Sequence, residues 1–201
     1  MIVDQSIVSC RASLLTLITI LLCTGLAGPS RADTPLVDFS DIPSISPETT
    51  NGLQAFFQTL DYDWAELEGG VPLLILENIP YDIDQITSIK TKKRAFFMGL
   101  LPMVLLANLE IKKERADVQL ILSRYRAGQL QDGDLEQLEK ILKRYGLRGH
   151  PLTDHRTRTR LLRRVDTIPP SLVLAQAANE SAWGSSRFAR LGNNLFGEWT
   201  Y

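Results

Sequence analysis

The chain has 201 residues, of which 44% are hydrophobic and 22% charged, and its formal net charge is −1. These values are ordinary for a globular protein, so they exclude disorder over the whole chain. They also exclude a dedicated nucleic-acid-binding protein, because the binding domain of such a protein is usually clearly basic.

The first 32 residues have the pattern of an export signal. Arg11 precedes the apolar run Leu14–Cys23, and Ser30 and Ala32 supply the small residues required before a cleavage site at Asp33. The apolar run is shorter than the roughly 18–20 residues of a membrane-spanning helix, which favours a cleaved signal peptide over a membrane anchor. We therefore expect export to the periplasm or cell envelope, with membrane contact only through this segment.

The residues that commonly bind metals are scarce after the signal. Cys10 and Cys23 are the two cysteines of the chain and both lie within the signal, so the mature protein would have no disulfide, thiol nucleophile or cysteine metal site. His150 and His155 are poorly spaced for one metal ion, and Asp154 between them is better interpreted as a helix N-cap. We expect no metal and no cofactor.

Residues 33–80 are predicted to form a flexible or weakly structured arm, because prolines recur between isolated apolar residues. Within the arm, Asn51–Leu60 has the apolar spacing of a short amphipathic helix, with Asn51 as a candidate N-cap. The segment Val71–Ile79 is ambiguous between a buried strand and an extended apolar segment, since its prolines argue against a helix.

Residues 81–150 are predicted to form a helical extension. The longest helical pattern runs from about Asp84 to Ala127, where Pro102 should kink or break the helix and Gly128 should end it. A second helix is predicted over Asp134–Tyr145. No hairpin signal and no internal repeat is present, so the sequence predicts a mostly α fold.

Two further helices are predicted near the C-terminus, over Asp154–Val165 and Pro169–Trp183. Proline is well tolerated in the first turn of the second of these, because the missing N–H has no partner there, and Gly184 is suited to end it.

Glu180 is the candidate catalytic residue of this last helix. It shares one face with Val173 and Ala177 at spacing i, i+4, i+7, so we predict that the carboxyl is partly desolvated. Desolvation and the nearby negative end of the helix dipole would both favour the protonated form. A glycosidase general acid must hold such a proton near neutral pH.

The aromatic and amide residues that follow are ambiguous when each is considered alone. Trp183 is suited either to stack on a sugar face or to pack in the core. Asn193 and Asn194 are suited either to bind sugar hydroxyls or to form a turn after Gly192.

The order of these residues resembles the bacterial glucosaminidase family, which has a lysozyme-like fold, and most closely its Bax-type branch. The matching residues are Ile168–Ser181, Trp183–Gly184, Ser186–Ala189 and Gly192–Gly197 with Trp199. Upstream, Lys92–Phe97 with Leu101, Pro102 and Asn108 also resemble the Bax-type N-terminal extension. The resemblance implies that residues 151–201 form the start of a lysozyme-like glucosaminidase domain after the helical extension.

The resemblance implies hydrolysis of the glycosidic bond after N-acetylglucosamine in peptidoglycan, whose glycan strands would be the partner. Glu180 aligns with the catalytic acid of the family. Trp183, Asn193, Asn194 and Phe196 align with positions that bind substrate or support the cleft. The oligomeric state stays open.

Two departures from the family pattern stand out. Ala182 occupies a position where the family often has glycine. Family members also continue beyond this point, and that part normally supplies a second acidic residue. Glu198 is the only acid after Glu180, and we do not expect it to be catalytic. We therefore expect the second catalytic residue beyond Tyr201, and an incomplete activity in a truncated chain.

Two alternative functions follow from the same residues. An amidase acting on the peptide stem ranks lower, because such enzymes are usually zinc enzymes and the mature chain has only two poorly spaced histidines. A non-catalytic module that binds the cell wall or a partner is the alternative of another class.

Overall fold

A computed structural model describes residues 42–197. The predicted signal peptide, both cysteines, Glu198 and Trp199 lie outside the described residues. The described part has two short strands, six α-helices and one 3-10 segment, so the mostly α prediction is confirmed. The elements are β1 (Ser44–Ile45), α1 (Thr50–Thr59), the 3-10 segment (Trp64–Gly69), β2 (Ile75–Leu76), α2 (Ile89–Ala127), α3 (Asp134–Arg144), α4 (His155–Arg164), α5 (Pro170–Ser181) and α6 (Arg187–Gly192).

Helix α2 is the central element of the fold. It begins after Ser88, whose Oγ accepts a hydrogen bond from the backbone N–H of Thr91, and it ends at Gly128 in a left-handed conformation. Pro102 is buried, and the helix continues through it instead of ending there. Packing of α2 against several neighbouring elements on both sides of the proline outweighs the loss of one backbone hydrogen bond.

A first hydrophobic core forms around the N-terminal half of α2. The segment before α2 supplies much of it, through residues that are at most 4% exposed: Leu53, Phe57, Leu74, Leu76, Ile79 and Ile83. Strands β1 and β2 pair in parallel, with Ser44 opposite Ile75 and Ile45 opposite Leu76. Residues 50–83 therefore differ from the weakly structured arm predicted for 33–80, because their apolar side chains are buried against α2.

The first helix begins slightly earlier than expected. The N-cap of α1 is Thr49, whose Oγ1 accepts a hydrogen bond from the backbone N–H of Gly52 at 3.1 Å. Asn51, the predicted cap, lies inside the first turn. The earlier start is stabilised by Asp82, whose Oδ1 accepts hydrogen bonds from the backbone N–H and the hydroxyl of Thr50, at 2.7 Å and 2.8 Å.

A second core joins the C-terminal half of α2 to α3 and α4. Its members are Val118, Ile121, Leu122, Leu138, Ile141, Leu142, Leu147, Leu161 and Val165. The predicted N-cap of α4 is confirmed, since the Asp154 carboxylate accepts hydrogen bonds from the backbone N–H groups of Arg156 and Thr157, each at 3.0 Å.

Helix α5 packs directly against α2. Leu174, Ala177 and Ala178 belong to the first core. At the start of α5, the Asn108 side chain donates to the carbonyl of Ile168 at 2.9 Å and accepts from its N–H at 3.2 Å. The predicted extension and the helix that carries Glu180 therefore share one core, and α2 fixes the position of that helix.

Candidate active site

The turn after α5 is built around the buried hydroxyl of Ser181. Its Oγ donates to the carbonyl of Ala177 at 2.6 Å and accepts from the N–H of Gly184 at 2.9 Å. Ala182, Trp183 and Gly184 follow one another with φ values of 50°, 59° and 76°. Three consecutive left-handed residues are unusual, and non-glycine residues there carry strain that the surrounding structure must offset.

Glycine at position 184 suits the close packing of this turn. A Cβ atom at this position would lie 3.2 Å from Ile79 Cγ2 and 3.2 Å from Phe96 Cδ2. Both neighbours are core residues, 4% and 1% exposed. A side chain at this position would therefore require these core neighbours to move by a few tenths of an ångström.

Trp183 makes its contacts with α2. The half-buried indole lies edge-on to Phe96 and Phe97, with ring centroids 6.0 Å and 5.2 Å away. The ammonium of Lys93 lies 4.4 Å from the centroid of the Trp183 ring, within the range of a cation–π contact. Of the two interpretations left open by the sequence, core packing accounts for these contacts.

The Glu180 side chain is exposed at the last turn of α5. The partial desolvation predicted from its helical face is therefore wrong, because Ala177 is buried while the carboxylate extends past the core into solvent. Gln176 Nε2 donates to Glu180 Oε1 at 2.9 Å. The backbone of Gly197 passes close to the other oxygen, since a Cβ built at Gly197 would lie 3.4 Å from Glu180 Oε2.

Residues 193–197 form a loop that is fastened by its asparagines. Asn193 ends α6 in a left-handed conformation, and its Nδ2 donates to the carbonyl of Glu77 at 2.8 Å. The backbone N–H of Asn194 donates to the carbonyl of Phe188 at 3.1 Å, and Asn194 Oδ1 accepts from the backbone N–H of Phe196 at 3.3 Å. Both asparagines thus hold the loop, as the turn interpretation predicts.

This loop forms one wall of a cavity of about 510 Å³. The opposite wall comes from β2 and α2, and the lining residues are Leu76, Ile79, Leu100, Met103, Gly192, Asn193, Asn194, Leu195 and Phe196. Phe196 is 44% exposed, so part of its ring is open to a ligand. Asn193, Asn194 and Phe196 thus meet at one cavity, while Glu180 lies beside the end of the same loop and Trp183 contacts α2.

Helix α6, which carries the loop, is tied to the segment before α2. Arg190 Nη1 lies 2.8 Å from Asp84 Oδ2, and both side chains are 31% exposed. The ion pair and the hydrogen bond from Asn193 to the carbonyl of Glu77 thus connect α6 to residues 77–84 at two points. Neither contact follows from the local sequence pattern, because the partners are more than a hundred residues apart.

Within residues 42–197, no group of three or more His, Cys, Asp or Glu side chains is placed to hold a metal ion. The chemistry of the described site is that of one accessible carboxyl with amide and aromatic neighbours. Such a set is suited to proton transfer and to the binding of a polar, partly apolar ligand.

The sequence comparisons define first a class of protein. Residues 158–200, which include α5, the turn, α6 and the loop, match the model of the family described as mannosyl-glycoprotein endo-beta-N-acetylglucosaminidase. This match supports a glycosidic-bond hydrolase or a role connected with peptidoglycan.

A particular relative narrows the class. The chain is 36% identical over 116 residues to Protein bax of Escherichia coli strain K12, an overlap of 58% of this chain and 41% of that protein. No solved structure matches the chain. The two matches support a Bax-type glucosaminidase-like family, so the resemblance inferred from the sequence is confirmed.

Proposed function

We propose that the chain carries the acid side of a glycoside hydrolase site that cleaves peptidoglycan after N-acetylglucosamine, with Glu180 as general acid. The observation that supports the proposal is the family match over residues 158–200, a range that includes Glu180. This glutamate lies exposed in the last turn of α5, beside the end of the loop 193–197. An exported location, expected from the N-terminal pattern, is part of the same proposal.

The surroundings of Glu180 divide its two oxygens between two tasks. Gln176 donates to Oε1 and so orients the carboxyl, which leaves Oε2 to carry the proton beside Gly197. In the reaction, Oε2–H gives its proton to the glycosidic oxygen while the bond from that oxygen to the anomeric carbon breaks. The leaving sugar departs as an alcohol, and water completes hydrolysis at the anomeric carbon.

Activation of that water requires a second group, usually a carboxylate about 5–10 Å from the acid. We assign no such group among residues 42–197. The exposed carboxyl of Glu180 would be desolvated by the bound sugar itself, since a glycan filling the space beside the loop excludes water from it.

The cavity beside the loop is the proposed sugar site. Its walls combine apolar side chains with two asparagines and the partly exposed ring of Phe196. Asn193 and Asn194 are assigned to holding the wall, and Phe196 to contact with the apolar face of a sugar. Trp183 is assigned to supporting the turn.

Digestion of purified peptidoglycan tests the proposal, with the new ends identified by mass spectrometry. We expect reducing N-acetylglucosamine ends from the wild-type chain, and their loss in Glu180→Gln. The matched control is Glu139→Gln, which makes the same change at another exposed helical glutamate. Freed stem peptides would instead indicate an amidase. Binding without cleavage in the wild type would favour a wall-binding module and overturn the catalytic assignment.

A further inference from the structure

A row of three aromatic rings leads from the catalytic turn onto the segment before α2. Trp183 lies edge-on to Phe97, with centroids 5.2 Å apart, and Phe97 is stacked with Trp64, with centroids 5.5 Å apart and planes inclined by 20°. Only Trp183 lies within the part of the chain that matches the glucosaminidase family. The other two rings belong to residues that no comparison assigns to a site.

Trp64 occupies a fixed position on the surface. The preceding residue, Asp63, accepts a hydrogen bond from the backbone N–H of Ala65 at 2.8 Å and so caps the 3-10 segment. Its other oxygen is paired with the guanidinium of Arg94 on α2. The Ala65 N–H, followed by Arg94, holds the pKa of the Asp63 carboxyl below its usual range. The backbone before Trp64 is therefore held by the contacts of Asp63, and its ring is held by stacking on Phe97, which lowers the ordering cost of receiving a ligand.

The row is open to solvent at one end. Trp64 is 41% exposed, while Phe97 and Trp183 are half-buried against the first core. The exposed ammonium of Lys93 lies over Trp183, which adds a hydrogen-bond donor at the other end. Phe97 covers one face of Trp64 and Lys93 covers the ring of Trp183, so the groups open to a ligand are the exposed part of Trp64 and the Lys93 ammonium. An exposed ring and a cation suit a sugar, because its C–H face packs on the ring and its hydroxyl or carboxylate oxygens accept from the cation.

We propose that Trp64 and Lys93, supported from behind by the rings of Phe97 and Trp183, form a glycan-binding platform that holds sugar residues of the strand outside the bond being cleaved. The proposal rests on the proposed function for the choice of glycan. It gives the arm and the helical extension a role, since together they would supply a binding surface outside residues 158–200, the range that matches the family.

Isothermal titration of the full chain with soluble peptidoglycan strands stripped of stem peptides tests the platform. A Glu180→Gln background prevents turnover during the measurement. We expect Trp64→Ala to weaken binding about three- to tenfold, the size expected from losing one aromatic contact, and Trp64→Tyr to restore most of it. Lys93→Gln should weaken binding by a similar factor.

The matched control is Tyr125→Ala, which removes an aromatic side chain of similar exposure (37%) on the distant end of α2. Unchanged binding in Trp64→Ala and Lys93→Gln, or an equal loss in Tyr125→Ala, would overturn the platform. Thermal unfolding of each variant separates a loss of binding from a loss of fold.

The platform and the proposed function fail in different ways. If the wild type cleaves glycan but the Trp64 variants bind it normally, the platform is wrong and the hydrolase proposal stands. If the wild type binds strands through Trp64 but releases no new ends, the platform stands and the catalytic assignment fails. A wild type that binds no glycan overturns the platform, and the digestion assay then judges the hydrolase proposal alone.

Discussion

Replacement of Gly184 by alanine tests how tightly the turn after α5 is packed against α2. The substitution adds a single methyl group at a residue with φ of 76°. That methyl would lie 3.2 Å from a carbon of Ile79 and 3.2 Å from a carbon of Phe96, both in the core. Two penalties therefore act together, the strain of a left-handed backbone and the crowding of packed neighbours.

The two penalties have different physical origins, so a control variant can separate them. Left-handed strain at a residue with a side chain costs about 1–2 kcal/mol. Crowding in a packed core adds about 1–3 kcal/mol. Gly128 provides the control, because its φ is 68° but a Cβ there would meet nothing within 4 Å. We expect Gly128→Ala to cost about 1–2 kcal/mol and Gly184→Ala about 2–5 kcal/mol.

Urea denaturation followed by circular dichroism gives the free energy of unfolding of each variant. The two glycine variants should differ by at least about 1 kcal/mol, because only one of them is crowded. Equal losses at Gly184 and Gly128 would show that the turn is free to move away from α2. That result would refute our inference that α2 rigidly supports the turn that follows Glu180.

Four further measurements probe the same framework. Ala182→Gly should raise the free energy of unfolding by about 0.5–1 kcal/mol, because glycine relieves a φ of 50°; a decrease would contradict this. Asn108→Ala should lower it by about 1–2 kcal/mol by removing two hydrogen bonds at the start of α5. Hydrogen bonds from Thr157 and Arg156, in the first turn of α4, lower the pKa of the Asp154 carboxyl below 3.8. The stability that the ionised carboxylate contributes is therefore present above pH 3.8 and is lost as the pH falls through the folded pKa. In Asp154→Asn, the free energy of unfolding should no longer show this loss at acid pH. Burial and, secondly, the neighbouring Glu114 raise the pKa of Tyr145 from 10.0 to about 12. The stability that the protonated phenol contributes is therefore lost as the pH rises from 10.0 to about 12. In Tyr145→Phe, the thermal unfolding midpoint should depend less on pH over that range.

The helices after residue 84 were predictable because their signals are local. Apolar spacing, Asp154 as a cap and Gly128 as a stop each act within one or two turns of the chain. The sequence was a poorer guide where distant packing decides the structure. Of the kink or break expected at Pro102, the break does not occur, and the arm predicted to be weakly structured is packed over residues 50–83, because both regions are buried against elements that the local sequence does not reveal.

The candidate site shows the same division between local and distant causes. The loop-forming tendency of Asn193 and Asn194 was visible in the sequence, but their partners, such as Glu77, were not. The side chain of Glu180 was expected to be partly buried from the face it shares with Ala177. A helical face fixes direction only, and whether a side chain is covered depends on what lies opposite.

The turn after α5 connects these findings to function. Ala182 and Trp183 adopt left-handed conformations that cost energy, and they are held there by the buried Ser181 hydroxyl and by the rings of α2. The positive φ of residue 182 also gives a physical reason for the glycine that the family often has at this position. Strain retained beside the candidate acid indicates that the direction of the turn matters more than its local stability. Since α2 supplies the contacts that hold the turn, the helical extension is part of the architecture of the candidate site and not merely a spacer before it.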